Sequence, residues 1–164
     1  MIRAGALLLL LFVAQGRPAT GKVNSTVDKS ADFAALKTYS WVAGQQAFDP
    51  AVHKSIVAAI DAQMASLGLK KVESGGSSTI RYLAVRSTSV DLDKLEALKR
   101  EGKDQAGADV TVGRLIIAME DGKAHRLWAA DSVEIMNPSV GDRDAAIKAV
   151  VARMFDTYPT RLKK

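Results

Sequence analysis

The sequence predicts a single α+β domain: a largely antiparallel sheet of five or six strands, two long helices packed on one face, and a short exposed helix. Several segments alternate Val, Thr and aromatic residues over strand-like lengths, two stretches repeat apolar residues at helical spacing, and turn residues separate them. A chain of 164 residues that is 48% hydrophobic is long enough to bury the core of one such domain.

Residues 1–16 have the pattern of a secretory signal peptide. Arg3 gives a positive start, and the apolar run at 4–14 would be about 16 Å long as a helix, against about 30 Å for a bilayer core. Small side chains at Ala14 and Gly16 predict cleavage after Gly16. We therefore expect an exported protein, periplasmic or secreted. The alternative is a hydrophobic N-terminal helix that stays in the mature fold.

The rest of the chain divides into three parts. Residues 17–22 form a polar lead-in, residues 23–160 one globular domain, and residues 161–164 a basic tail. We found no internal repeat.

Two strands are predicted before the first helix. The first covers the Val- and Thr-rich segment 22–28, and the second covers 38–43, where Tyr39 and Trp41 share one face because alternate side chains point the same way.

The first helix has clear start and stop signals. Asp49 is a suitable N-cap, Pro50 fits the first helical position, and Gly68 ends the helix. The helical-spacing stripe consists of Val52, Ile56, Ile60, Gln63 and Leu67. Residues 69–72 can form a short strand after it.

The second half of the chain alternates in the same way. Segment 79–90 predicts a long central strand, segment 91–108 a short exposed helix followed by a mobile loop, and segment 109–135 two strands joined at Asp121-Gly122. An amphipathic helix over 142–159 completes the domain.

Several motifs together resemble the bacterial domain-of-unknown-function 4136 family. They are "DFAALKTYSW" (32–41), "STIRY" (78–82), "VGRLIIAMEDGKAHRLWAA" (112–130) and a final "YP" (158–159). The resemblance implies a small exported protein, often a lipoprotein, with no established activity and no agreed catalytic residues. This chain has no cysteine, so it lacks the attachment site of a lipid anchor.

The composition excludes some chemistries and points to no other. With no cysteine, thiol nucleophiles and thiolate metal sites are impossible. His53 and His125 lie far apart and match no metal-ligand or triad motif. The net charge of +5 comes from Lys and Arg scattered among acids, which favours a solvated surface over nucleic-acid binding. We expect no catalytic, cofactor or metal site and no transmembrane segment.

Aromatic residues are the remaining site candidates. One interpretation is a platform on which a sugar or peptide stacks, formed by Tyr39, Trp41 and Trp128, with polar contacts from Arg81 or Arg126. The alternative is that the three aromatic side chains fill the core.

Three functions follow from these residues. The first is a non-enzymatic envelope module that binds a protein or cell-wall component through a sheet edge or through segment 91–108. The second is a small-molecule or glycan binder with a cleft near Trp41 and Trp128. The third is a hydrolase with an unrecognised site.

Overall fold

The computed structural model describes residues 21–136 and 142–160. The predicted signal peptide, most of the lead-in and the basic tail lie outside these residues.

The described chain forms six strands and three α-helices in an α+β arrangement. The strands are β1 (Val23–Val27), β2 (Thr38–Trp41), β3 (Lys70–Lys71), β4 (Ser78–Val90), β5 (Asp109–Glu120) and β6 (Arg126–Ile135). The helices are α1 (Pro50–Ser66), α2 (Leu92–Arg100) and α3 (Arg143–Phe155). Each predicted helix and strand is present, but the last helix ends at Phe155, four residues before its predicted end.

The sheet is mixed, so the prediction of a largely antiparallel sheet is wrong. Its strand order is β1-β6-β5-β4-β2-β3. The pairs β1–β6, β6–β5 and β5–β4 are antiparallel, whereas β4–β2 and β2–β3 are parallel. The reason is the position of α1: a helical crossover after β2 returns the chain in the same direction, which a hairpin cannot do. Consecutive strands β1 and β2 do not pair with each other.

Helices α1 and α3 pack together over one face of the sheet. Cross-strand register places Trp128 of β6, Met119 of β5 and Ile80 of β4 in one row on this face. All three side chains are fully buried, as are Ile60 of α1 and Phe155 of α3. The hydrophobic core therefore lies between the sheet and these two helices.

Segment 91–108 contains more structure than expected. The predicted short exposed helix is confirmed as α2, which has no buried residue, but a 3-10 helix (Gln105–Ala108) occupies the end of the predicted mobile loop. The Asp91 N–H donates to the Ala108 carbonyl at 2.9 Å, which joins the two ends of the segment.

Among the described residues, no helix has both the length and the hydrophobicity that crossing a bilayer requires.

Candidate functional site

A cleft of about 340 Å³ opens beside the end of β2. We call it the Trp41 cleft. It lies between β4, the first half of α1 and the segment that follows β2. Its walls are formed by Trp41, Val42, Ala43, Gly44, Gln46, His53, Val57 and Tyr82.

The segment after β2 forms one wall of the cleft because it continues along β4. The Val42 N–H donates to the Ile80 carbonyl at 3.0 Å, and the Ala84 N–H donates to the Gln45 carbonyl at 2.9 Å. Between these bonds, a Cβ added to Gly44 would lie 2.1 Å from the Tyr82 carbonyl oxygen. Only glycine allows this approach, so Gly44 holds the wall close to β4.

Tyr82 and His53 form a fixed pair inside the cleft. Their rings stack with centroids 5.9 Å apart, and the Tyr82 hydroxyl lies 2.6 Å from His53 Nδ1. The Tyr82 oxygen also accepts from the Ala47 N–H at 3.1 Å. Both contacts form at once when the Tyr82 hydroxyl donates its proton to Nδ1, and in that tautomer neutral His53 carries its own proton on Nε2.

Trp41 is held in place by a carboxylate on α1. Its Nε1–H donates to Asp61 Oδ1 at 2.9 Å, and its ring meets Tyr82 edge-on with centroids 6.3 Å apart. Tyr39 Oη donates to the same Asp61 oxygen at 2.7 Å, and Lys71 Nζ donates to the other oxygen at 2.8 Å. Asp61 thus orients the half-buried indole from outside the cleft.

Tyr39 belongs to the core. Its side chain is buried, and burial together with its hydrogen bond to Asp61 raises its pKa well above the usual value for tyrosine.

Trp128 lies away from the Trp41 cleft. It is fully buried and packs on Phe155 and Tyr158, with ring centroids 5.0 and 5.5 Å away. Two strands separate β6 from β2, a distance of about 14 Å across the sheet. A cleft shared by Trp41 and Trp128 is therefore absent from the described chain, and the core interpretation applies to Trp128.

Arg81 lies on the opposite face of the sheet from Trp41. It pairs with the buried carboxylate of Glu120, which also accepts from Arg126 at 3.2 Å. Both arginines therefore bond Glu120 within the sheet and do not contribute the expected polar contacts to the cleft.

No described helix covers this opposite face of β4, β5 and β6. Val85, Val133 and Ile135 are 42%, 45% and 54% exposed there, although they belong to central strands. Arg114 stands among them and makes a two-bond ion pair with Asp131, at 2.9 and 2.8 Å. We call this surface the open face. Its apolar members are Leu83, Val85, Val112, Ile116, Val133 and Ile135.

His125 lies outside the Trp41 cleft that His53 lines. It is exposed in the β5–β6 turn, where its backbone N–H donates to Asp121 at 2.9 Å. That hydrogen bond lowers the pKa of Asp121. Within residues 21–136 and 142–160, no group of His, Asp and Glu side chains could hold a metal ion.

Sequence reasoning found Trp41 but missed its partners His53 and Tyr82. Alternation along β4 places Tyr82 on the same face as Ile80, and this signal could have been read. That His53 of α1 meets Tyr82 depends on how the helix crosses the sheet, which periodicity does not give.

A family model described as a domain of unknown function, DUF4136, matches residues 23–160. This chain belongs to the DUF4136 family. The expected resemblance is thereby confirmed. No curated protein sequence matches this DUF4136 chain.

Solved structures share the fold of this DUF4136 domain at low identity. A PDZ domain protein from Parabacteroides distasonis is 15% identical with a TM-score of 0.59; the match covers 87% of this chain and 36% of that one. The PelC dodecamer from Paraburkholderia phytofirmans is 10% identical with a TM-score of 0.57, covering 88% and 99%. A second PelC dodecamer structure, in space group C2, is 10% identical with a TM-score of 0.54, covering 82% and 94%. The chain thus spans about a third of the PDZ protein and nearly all of PelC.

Proposed function

We propose that this chain is a non-enzymatic interaction module, exported to the bacterial cell envelope, whose copies associate through the open face. The observation that carries the proposal is the exposure of apolar side chains on two central strands, β4 and β6. A sheet normally buries both faces or makes one of them polar, so an apolar open face is typical of a docking surface.

The charges on the open face favour a second copy as its occupant. Arg114 and Asp131 satisfy each other within one chain, and Glu120 pairs with both Arg81 and Arg126 nearer the β5–β6 turn, which leaves one positive charge in excess among these groups. Around the apolar side chains the only charges among the described residues are those of the balanced Arg114–Asp131 pair, so two copies can meet there with little like-charge repulsion, and a strongly basic partner would find no free acidic group. Sheets commonly stack face to face in this way. PelC, which shares the fold, is described as a dodecamer, so the fold is compatible with assembly of many copies.

The absence of an enzyme activity remains part of the proposal. His53 and Tyr82 meet in the Trp41 cleft, but no serine, threonine or carboxylate is among the described residues that line it. A hydrolase that works through a covalent intermediate needs a side-chain nucleophile beside its base, and the only hydroxyl beside His53 in this lining is the Tyr82 phenol, which two hydrogen bonds already engage.

The mass of the protein in solution tests the proposal. We expect sedimentation velocity to show reversible association over micromolar to submillimolar concentrations, and Val133→Asp to shift the protein to monomer. Leu92→Asp is the matched control, because Leu92 is exposed on α2 and lies off the open face. A monomer at all concentrations, or equal loss of association in both variants, would contradict self-association.

Crosslinking in the native envelope identifies which molecule binds the open face in cells. A photo-crosslinking residue at position 85 should capture the same chain, and one at position 92 should not. If only a different envelope protein is captured, the chain is still an interaction module, but its partner at the open face is not a second copy of itself.

Export is tested at the N-terminus. We expect the first residue of the protein recovered from the envelope fraction to be Arg17. Recovery of an intact Met1 terminus in the cytoplasm would contradict export.

A further inference from the structure

The geometry points to the Trp41 cleft as a binding site for one uncharged sugar unit. The site is independent of the association proposed above, because it lies on the helix-covered side of the sheet. The argument uses the size of the cleft, its lack of charge, its hydrogen-bond donors and its rigidity.

The size fits a single ring. A volume of about 340 Å³ is at the lower end of the range for small-molecule sites, about 300–1,000 Å³. One wall, at Ala43 and Gly44, is exposed to solvent. A ring bound in the cleft could therefore carry substituents, or further units, that extend outwards along this wall.

The residues that line the cleft favour an uncharged ligand. No Asp, Glu, Lys or Arg is among the described residues that form the walls. The carboxylate behind Trp41, Asp61, is already paired with Lys71. A charged ligand would lose its hydration on entering and find no counter-ion, which opposes binding.

The donors select a ligand that carries oxygen. With Nδ1 bonded to Tyr82, Nε2 is the remaining hydrogen-bonding atom of a ring that lines the cleft, and it donates when the Tyr82 hydroxyl is the donor to Nδ1. The Gln46 amide adds a second donor at the exposed side. Trp41 and Val57 supply apolar surface. A sugar matches both features, because its hydroxyl oxygens can accept the hydrogen bonds and the C–H groups of its ring can pack on the apolar side chains.

The site is organised before a ligand arrives. The Trp41 indole is fixed by Asp61 and by its edge contact with Tyr82, and the His53 ring is fixed by its stacking on Tyr82. Little side-chain entropy is then lost on binding. For a ligand of this size we expect a Kd on the order of 1 mM.

The chain contains its own paired controls, because it has two tryptophans and two histidines. In each pair one residue lines the cleft and the other lies elsewhere. We would titrate the protein with methyl α-glucopyranoside and N-acetylglucosamine and follow the indole and imidazole NMR signals. Saturable shifts are expected for Trp41 and His53, with Trp128 and His125 unmoved. Glucuronate and glucosamine, the charged analogues, should bind at least tenfold more weakly.

Two substitutions on one helix complete the test. Val57→Phe fills the cleft from α1 and should raise the Kd at least tenfold, whereas Ala58→Phe, exposed on the same helix, should leave it within twofold. His53→Ala removes the donor without filling space and should also weaken binding. The inference is overturned if no neutral sugar gives saturable shifts at Trp41 and His53. It is also overturned if only oxygen-free rings bind, or if Val57→Phe and Ala58→Phe behave alike.

Discussion

At the residue scale, Asp61 organises the region around the Trp41 cleft. One oxygen of its carboxylate accepts hydrogen bonds from Tyr39 and Trp41, and the other oxygen accepts a hydrogen bond from Lys71. Tyr39 is buried, so its hydroxyl would lack a partner if the carboxylate were removed. Lys71 is half exposed, and its ion pair adds little because solvent screens it.

Substitutions at Asp61 should separate these contributions. We expect Asp61→Ala to lower the free energy of unfolding by about 2 kcal/mol or more, since the buried Tyr39 and the half-buried Trp41 both lose their acceptor. Asp61→Asn keeps an acceptor oxygen and should cost less than about 1 kcal/mol. Urea denaturation followed by tryptophan fluorescence measures both. Lys71→Met is the control and should change the free energy by about 0.5 kcal/mol. Equal costs for Ala and Asn would contradict this account.

Two tyrosines make the stability sensitive to alkaline pH. Burial raises the pKa of Tyr158 to about 12, and burial and the bond to Asp61 raise that of Tyr39. In the unfolded chain each phenol ionises near pH 10, so the folded state holds its protons more tightly. The contribution to stability is complete below pH 10 and is lost as the pH rises above it. The loss should be about 1.4 kcal/mol per pH unit and per group.

The variant Tyr158→Phe tests that pH dependence. Its hydroxyl has only a long contact to Met119 Sδ, 3.6 Å, so the substitution should be mild at neutral pH. Above pH 10, the variant should lose stability less steeply than the natural chain. Denaturation midpoints between pH 8 and 11 measure the slope, and identical slopes would show that Tyr158 does not contribute.

At the element scale, the sequence predicted which elements form better than it predicted how the strands pair. The strand and helix signals are local: Asp49 and Pro50 start α1, and its Ala51 N–H does donate to Asp49 at 2.9 Å. Strand order depends on contacts between distant segments. That β2 pairs with β4 and β1 with β6 has no local signature, so the parallel half of the sheet was missed. The same limit explains why Trp128 was placed near Trp41.

Gly44 links the segment after β2 to β4 and forms a wall of the Trp41 cleft. Gly44→Ala should lower the free energy of unfolding by about 1–3 kcal/mol, because the new methyl group would overlap the Tyr82 carbonyl. Gly122→Ala is the control, since a Cβ there meets nothing within 4 Å. Thermal denaturation compares the two. A Gly44→Ala protein as stable as the control would show that the segment can move away from β4 at no cost.

At the scale of the whole molecule, the two faces of the sheet differ in what they contribute. The helix-covered face holds the core, with Trp128, Phe155 and Tyr158 in mutual contact. On the open face, apolar side chains of the same strands remain accessible to solvent. Single substitutions should therefore have very different effects on the two faces.

Trp128→Ala should destabilise the fold by about 3–5 kcal/mol, because it removes the largest fully buried side chain. Val133→Ala, on the same strand and 45% exposed, should cost less than about 0.5 kcal/mol. Chemical denaturation at a concentration where the protein is monomeric measures both. A cost at Val133 approaching that at Trp128 would mean that the open face is covered in the folded monomer.

The pairing of β1 with β6 joins strands from near the two ends of the described chain. Contacts of such long sequence separation raise the contact order, so we expect folding on the scale of milliseconds to seconds rather than microseconds. During synthesis β1 emerges before the other five described strands, yet its strand partner, β6, emerges last of the six. β1 therefore stays unpaired until residues 126–135 have been made, so this edge of the sheet is completed last. A product truncated before β6 would leave β1 without a partner and expose it to degradation.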